Sequence, residues 1–358
     1  MKVAIIGAGR VGSLIARLLN DCGDYTVTLF DCNEDTLHSL NGGGLENLVQ
    51  VHAEDSEALE KAVTGQQVVV CAGPSHLAPT VASAAREIGA HYFDLCEASK
   101  AASLVKEISD GAEKTFLPQC GVSPGLISIV TRRLAAKFEN DIDVCVRVGA
   151  LPRYPANRLK YGLTWDTDGL FSEYTEPCDA LHDGKPVQIP PLSDLESISL
   201  DGQDFEAFTT ANGMGSLCDS LIGRVRNLRF KTIRYPGHLD KLLMLMDDFG
   251  MRKRADLFRM IMENGLPIID NDLLIFFITV SGLRNGRRAQ ESYVRRIYVQ
   301  ELASGPYGAL QSTSAAATCA GIDLVASGRL ATPGHVRQED IDYDTFMGNR
   351  FMRSIKMN

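Results

Sequence analysis

No Cys-x-x-Cys pair occurs in the sequence, although it holds nine cysteines, at positions 22, 32, 71, 96, 120, 145, 178, 218 and 319. An odd count without metal-ligand spacing excludes a disulfide framework and a zinc knuckle, and reads as reduced thiols of a cytoplasmic protein. The histidines show no ligand spacing either, so no metal is expected. Long apolar runs are missing. The longest after the N-terminus, Leu273 to Val280, has the length of a buried strand and not of a membrane span. The opening run is short and broken by glycines, unlike a secretory h-region. Positive charge is in deficit, with 36 Lys and Arg against 45 Asp and Glu and a net charge of -9. Nucleic acid and anionic membrane are therefore not expected as main partners. No internal repeat or low-complexity tract appears.

What is present is globular: 358 residues, 45% apolar and 23% charged, enough for two domains. The first third alternates short apolar runs with helical periodicity. Strands are expected at Lys2–Ile6, Tyr25–Phe30, Val68–Cys71, His91–Leu95 and Thr115–Leu117. Helices are expected at Arg10–Leu19, Leu77–Ile88 and Ser99–Lys114. That alternation implies a parallel, doubly wound α/β sheet. After Pro124 a helix over Gly125–Phe138 leads into longer strands, including Asp143–Val148, Leu195–Leu200, Leu228–Arg234, Leu273–Ser281 and Ser292–Gln300. Asp-Gly and Asn-Gly turns at 183–184, 201–202 and 285–286 mark hairpins. This half reads as an α+β domain on a mixed or antiparallel sheet, followed by a small-residue helix at Ala309–Ala326.

The run Gly7-Ala8-Gly9-Arg10-Val11-Gly12 is a G-x-G-x-x-G between a strand and an amphipathic helix, the context that makes it a dinucleotide fingerprint. Asp31 follows Gly12 by 19 residues, at the end of the second strand, where a carboxylate accepts ribose hydroxyls and repels a 2′-phosphate. Cys32 and Asn33 supply no arginine for such a phosphate, so NAD is favoured over NADP. The loop Ala72-Gly73-Pro74 ends a parallel strand, where the nicotinamide half is expected to lie. The next strand end offers Asp94 and Glu97; either could hold an ammonium or act as a base, or simply be solvated, while Ser99 could cap a helix. Cys120 and Ser123 precede Pro124 and Gly125 in a segment whose N–H groups could bind a carboxylate; Pro124 would fit a first helical turn.

Gly121-Val122-Ser123-Pro124-Gly125-Leu126, Gly149-Ala150-Leu151-Pro152-Arg153, Tyr161-Gly162-Leu163-Thr164-Trp165, Leu170-Phe171-Ser172-Glu173-Tyr174 and Thr232-Ile233-Arg234-Tyr235-Pro236-Gly237-His238 occur in this order. Together they resemble the saccharopine dehydrogenase-like family, and within it the NAD-dependent lysine 6-dehydrogenases. The resemblance implies a Rossmann domain over residues 1–122, rejoined by residues from about 305 to 358, and an α+β substrate and dimerisation domain over 123–304. It implies a homodimer, and oxidation of a basic amino acid at a C–N bond of its side chain, or the reverse step. It carries over the Rossmann glycines, Asp31, the Gly73 loop, the 120–125 segment, and Thr232 with Arg234. One departure stands out. Where saccharopine-active members show an Asn-Arg-Asp-Ser stretch, residues 209–216 here contain no arginine or acid, which leans away from a dicarboxylic substrate.

The chemistry calls for an arginine on the α-carboxylate, for which Arg153 and Arg234 are candidates. A proton acceptor must neutralise the reacting ammonium; His238 is the first candidate because histidine titrates near neutral pH, and Glu97 the second. Tyr161, Thr164 and Trp165, on an expected aromatic strand, would line the pocket. The leading expectation is an L-lysine 6-dehydrogenase; the rivals are a reductive condensing enzyme of saccharopine or carboxynorspermidine type, and a non-catalytic NAD-binding sensor or scaffold.

Overall fold

The computed structural model describes residues 1–40, 44–330 and 332–357. Its contacts divide the protein into two units, Met1–Ile129 with Gln311–Ile355, and Val130–Leu310 with the residues from Lys356 onward.

The first unit is built on parallel strands β1 (Lys2–Ile6), β2 (Thr26–Asp31), β3 (Leu48–Gln50), β4 (Val68–Cys71), β5 (His91–Asp94) and β6 (Thr115–Leu117), with Gly334–His335 pairing beside β6. The order across the sheet is β3-β2-β1-β4-β5-β6 and then 334–335, the doubly wound arrangement that reverses direction at β1 and β4. β4 is buried at every residue, which explains why it shows no polar alternation. On one face, helices Ser56–Val63, Ala78–Glu87 and Ser99–Ile108 share a core with Ile6, Val69, Tyr92 and Phe116. Phe93 and Leu117 serve the returning helix Ala309–Ala326; a Cβ on Gly321 would stand 3.0 Å from the Leu117 Cδ2 methyl, so a larger residue there would make Leu117 shift. The C-terminal segment is tied to the second strand's start. Tyr25 donates to Asp323 (2.8 Å), and Arg350 reaches both Asp24 and Asp323 (2.6 Å each).

The second unit carries β7 (Asn140–Pro152), β8 (Cys178–His182), β9 (Lys185–Ile189), β10 (Glu196–Leu200), β11 (Gln203–Thr209), β12 (Asn227–Arg234), β13 (Asp272–Arg284) and β14 (Arg287–Ile297). The main order is β10-β11-β12-β7-β13-β14, with the β8–β9 hairpin beside β12. Only β12 and β7 run parallel; the other pairs are antiparallel, so the sheet is mixed. The three hairpin turns form where the Asp-Gly and Asn-Gly pairs stand, both residues of each having positive φ as two-residue turns demand. Helices Thr167–Thr175, His238–Leu243 and Ala255–Gly265 gather around Tyr161, Leu170, Tyr174, Phe208, Phe258 and Met262 in a separate core.

Several local expectations change. The helix from Ser99 stops at Ile108, and the backbone then turns at Gly111 (φ +66°) well before Lys114. The helix expected from Gly125 spans Ile127–Ala135. Pro124 is outside it because Gly125 adopts φ +128°, a conformation closed to other residues here, where a Cβ would meet the Gln119 carbonyl oxygen at 2.7 Å. Tyr161–Trp165 is no strand; its one ladder contact is an isolated bridge from Leu163 to Ile268. Ser99 does not cap its helix, since the cap position is Ala98. Among the described residues no helix is long and apolar enough to cross a membrane, and no cluster of three or more His, Cys, Asp or Glu could hold a metal.

Asp272, buried at the start of β13, accepts the backbone N–H groups of Ala309 and Leu310 (2.9 Å for the latter) and so caps the helix that follows. Removing a helix cap costs about 1–2 kcal/mol. Asp272→Ala is therefore expected to lower the stability measured by chemical denaturation by that amount, with Asp272→Asn retaining part of it; equal midpoints for all three proteins would show that the cap does not matter.

Candidate functional site

The first cluster is the glycine turn after β1. Gly7 has φ +108°, and a Cβ there would lie 2.8 Å from the backbone of Ala72 and Gly73, so the loop after β4 packs directly on the turn. A Cβ on Gly12 would lie 2.0 Å from the Gly7 carbonyl oxygen; the helix that includes Arg10 and Val11 can approach the strand only because position 12 has no side chain. Gly9 is different. Nothing lies within 4 Å of its Cβ position, and it begins the helix Arg10–Asp21 with no capping side group of its own. A phosphate pair fits that open space against uncapped helix N–H groups and the positive end of the helix dipole. Asp31, partly buried at the end of β2, accepts the Ala8 N–H (2.7 Å) and the Asn33 N–H (2.9 Å). Each carboxylate oxygen keeps acceptor capacity for a ribose hydroxyl. Ala72 and Gly73 are partly exposed and Pro74 is exposed beyond them.

The carboxyl ends of β5 and β6 are organised by Asp94. Far from being solvated, it is fully buried: one oxygen accepts the N–H groups of Cys96 (2.9 Å) and Gln119 (2.7 Å), and the other accepts the Tyr92 hydroxyl (2.8 Å). Burial pushes its carboxyl up to about 6, against these three hydrogen bonds. Glu97 lies partly buried just beyond. Cys120 is not available to a substrate through either its side chain or its N–H, which donates to the Asp94 carbonyl (2.7 Å). The sulfur is buried, donates to the Leu117 carbonyl (3.0 Å) and accepts from Gln338 Nε2 (3.2 Å), and burial with Asp94 nearby raises its pKa. Ser123 is partly exposed in extended backbone before Pro124.

The second cluster lies in the other unit, around the end of β12. Arg234 is buried, and its guanidinium donates to Thr232 Oγ1 (3.1 Å), the Ile233 carbonyl (3.0 Å) and the Tyr174 hydroxyl (3.3 Å), with the Tyr161 ring centre 4.8 Å away. Thr232 thus positions the arginine. His238 starts the next helix. Glu206 accepts the Gly237 and Leu239 N–H groups (2.7 and 2.6 Å), which fixes the Pro236-Gly237-His238 turn. The His238 ring lies between Tyr161 and Phe208, at 5.4 and 6.3 Å. Its Nδ1 is 2.9 Å from the Leu159 carbonyl, which can only accept, so Nδ1 carries the hydrogen and Nε2 presents a lone pair.

That lone pair corrects the expectation of a histidine titrating near neutrality. Burial, reinforced by the Arg234 charge, pulls His238 down to about 3, so the ring accepts a hydrogen bond but not a proton. Arg153 is not part of the buried cluster; it is exposed, stacked 5.3 Å from the Tyr154 ring and 4.9 Å from the Tyr298 ring. Glu173, which sequence reasoning passed over, is part of it. Its Oε2 is 3.9 Å from Arg234 Nη2, and burial pushes its carboxyl up to about 7 even though Arg234 opposes the shift. Glu173 Oε2, Arg234 Nε, His238 Nε2, Thr164 Oγ1 and Thr210 Oγ1 are all buried without a hydrogen-bond partner. Unmet buried polar atoms are costly, and three of these, on Glu173, Arg234 and the His238 that feels the arginine's charge, mark a place that a polar ligand completes.

Comparison with known proteins gives matches to two family models: saccharopine dehydrogenase NADP binding domain over residues 3–115, and saccharopine dehydrogenase C-terminal domain over residues 121–356. The alpha-aminoadipic semialdehyde synthase of mouse mitochondria is 24% identical over 250 residues, covering 66% of this chain and 27% of that protein. The sequence thus spans about a quarter of the length of this relative. Among solved structures, saccharopine dehydrogenase (L-Glu forming) from Saccharomyces cerevisiae superposes with a TM-score of 0.80 at 15% identity, covering 100% of this chain and 99% of that one. Homospermidine synthase from Legionella pneumophila, in complex with NAD, has a TM-score of 0.69 at 13% identity, covering 100% and 91%.

Proposed function

As the chain belongs to the saccharopine dehydrogenase family, we propose that it is an NAD-dependent oxidoreductase that oxidises a C–N bond in the side chain of a basic amino acid, with L-lysine as the substrate and its ε-carbon as the reacting centre. The observation that carries this reading is the buried cluster at the end of β12: it joins a fixed guanidinium donor, suited to an α-carboxylate, to several unmet acceptors suited to ammonium groups. Bound NAD supplies the hydride acceptor; the residues that would hold it are Gly7, Gly9, Arg10, Val11, Gly12, Asp31, Ala72, Gly73 and Pro74. Arg234 is the carboxylate partner and Thr232 its support, with Tyr161 forming the wall beside the guanidinium. Arg153 and Ser123 are proposed as further substrate contacts. Since His238 stays neutral, Glu97 is the proton acceptor proposed for the reacting ammonium.

Incubation of the purified protein with L-lysine and NAD should give NADH absorbance together with one equivalent of ammonia. Absence of both, with turnover of a keto acid plus an amine instead, would move the reaction to the reductive condensing branch. Cofactor binding with no turnover on any amino acid would leave a sensor or scaffold. The protein is proposed to act as a cytoplasmic homodimer, which light scattering at micromolar concentration tests.

NAD is proposed over NADP on the strength of Asp31, although the matched domain model carries NADP in its description. Asp31→Ser is expected to lower the ratio of kcat/KM for NAD over NADP by at least about tenfold, the effect of removing one charge repulsion and a bidentate ribose contact. An unchanged ratio would show that Asp31 does not touch the ribose.

A further inference from the structure

Arg234 and Glu173 stand close but unjoined. The 3.9 Å between Nη2 and Oε2 exceeds hydrogen-bond length, and Arg234 Nε and Glu173 Oε2 are both buried with no hydrogen-bond partner. Each is held in place from its own side. Thr232, the Ile233 carbonyl and Tyr174 fix the guanidinium. Glu173 sits on helix Thr167–Thr175, whose flank is pinned by the Ala211 N–H on the Glu173 carbonyl (3.0 Å) and by Asn212 Nδ2 on Ser172 Oγ (2.8 Å). The pair is thus an ion pair too long for a hydrogen bond, with a buried acceptor on Glu173 Oε2 and a buried donor on Arg234 Nε both left open.

We propose that Glu173 and Arg234 together grip the α-ammonium and α-carboxylate of the substrate, so that the site selects a zwitterionic α-amino-acid head group. The proposal rests on the reading of Arg234 as the carboxylate partner. A carboxylate takes the guanidinium's free donor, while the adjacent ammonium offers an N–H donor to Glu173 Oε2. Neither group suffices alone. A diamine would leave Arg234 buried and unmet, and an ω-amino acid without an α-amine would leave Glu173 so.

The protonation of Glu173 then governs affinity. Arg234 from β12 lies 3.9 Å from it, Tyr174 from the same helix and Cys178 from β8 feel its charge, and His238 and Tyr161 stand on the arginine's side. Arg234 and Tyr174 have raised pKa values, Cys178 is pushed up to about 12, and His238 is down at about 3. Of Glu173, Arg234, Tyr174, Cys178 and His238, it is Glu173 that changes charge between pH 6 and pH 8. Its protonated form keeps an acceptor oxygen but loses the charge that attracts an ammonium, so binding weakens as pH falls through about 7.

The test is calorimetric binding to the full-length protein, with and without saturating NAD, of three compounds: L-norleucine, which keeps only the head group; 6-aminohexanoate, which lacks the α-amine; and cadaverine, which lacks the carboxylate. Norleucine is expected to bind at least about tenfold tighter than the other two at pH 8, and to lose about tenfold between pH 8 and pH 6, as one competing proton on a group near pH 7 requires. In Glu173→Gln the preference of norleucine over 6-aminohexanoate and the pH dependence both disappear; in Glu173→Asp the binding is weaker but still falls with pH. Equal binding of norleucine and 6-aminohexanoate to the wild type would overturn the proposal, and that comparison needs no variant to fold. Norleucine binding without lysine oxidation would remove the dehydrogenase reading and leave the head-group grip intact; lysine oxidation without norleucine binding would do the reverse.

Discussion

Arg234→Gln is expected to lower kcat/KM for L-lysine by about two to three orders of magnitude, with NAD affinity unchanged. The guanidinium is buried, and truncating one partner of a buried, hydrogen-bonded charge pair costs about 3–5 kcal/mol, because the other charge is left unpaired. Here two charges lose their counterpart, the substrate carboxylate and Glu173. Arg234→Lys should recover little. An ammonium cannot serve Thr232 Oγ1, the Ile233 carbonyl and the Tyr174 hydroxyl from one plane while keeping a donor for a ligand. Steady-state kinetics with NAD saturating checks the first effect, and fluorescence titration of NAD checks the second. A loss smaller than about threefold would remove Arg234 from substrate binding.

Asp94→Ala is expected to cost about 3–5 kcal/mol of stability, while Asp94→Asn costs almost nothing. The alanine leaves two buried N–H groups, on Cys96 and Gln119, without an acceptor, each worth about 1–3 kcal/mol. It also releases Gln119 from a left-handed conformation (φ +61°) that the hydrogen bond holds. Asparagine differs because both N–H groups fall on one carboxylate oxygen, which an amide oxygen replaces. Its NH2 then faces the Tyr92 hydroxyl, which can accept it while donating to the Ala78 carbonyl at 3.1 Å. The pH dependence separates the two states further. The carboxyl sits at about 6 when folded, above the 3.8 of an unperturbed aspartate, so the native state binds the extra proton between these values. The Asp94 contribution to stability therefore rises as pH falls from 7 toward 4, and the asparagine protein should lack that slope. Urea unfolding at pH 5 and pH 8 measures both effects; parallel slopes for wild type and Asp94→Asn would show that Asp94 is not the group titrating.

The glycine turn after β1 was legible in the sequence because its determinants are local. A strand, a glycine turn, a helix and an acid at the next strand end fall within one short segment, and the close packing at Gly7 and Gly12 follows from that order. The protein adopts a Rossmann sheet joined to a mixed-sheet α+β unit, as the alternation of elements and the hairpin turns imply. The substrate half was less readable, because burial there depends on distant segments. Arg153 and Arg234 are alike on paper, yet one lies on the surface between Tyr154 and Tyr298 and the other is enclosed at the end of β12. Glu173 looks like a solvated helix acid until Ala211, Tyr174 and Arg234 close around it. His238 offers neutral-range titration only where water reaches it; enclosed by Tyr161, Phe208 and the arginine, it stays uncharged. Pro124 would start a helix if Gly125 did not have to pass the Gln119 carbonyl.

The first unit is assembled from two stretches of sequence separated by residues 130–310 of the second. A ribosome that has reached residue 129 has made the glycine turn and six strands, but not the helix that shields Phe93 and Leu117, nor Asp323 for Tyr25, nor Arg350 for Asp24. At ~5–20 residues per second that apolar side waits for roughly 10–40 s while residues 130–310 emerge. A stop codon or frameshift late in the message, even one past residue 310, therefore damages the nucleotide-holding half first, although every residue of its fingerprint has been translated.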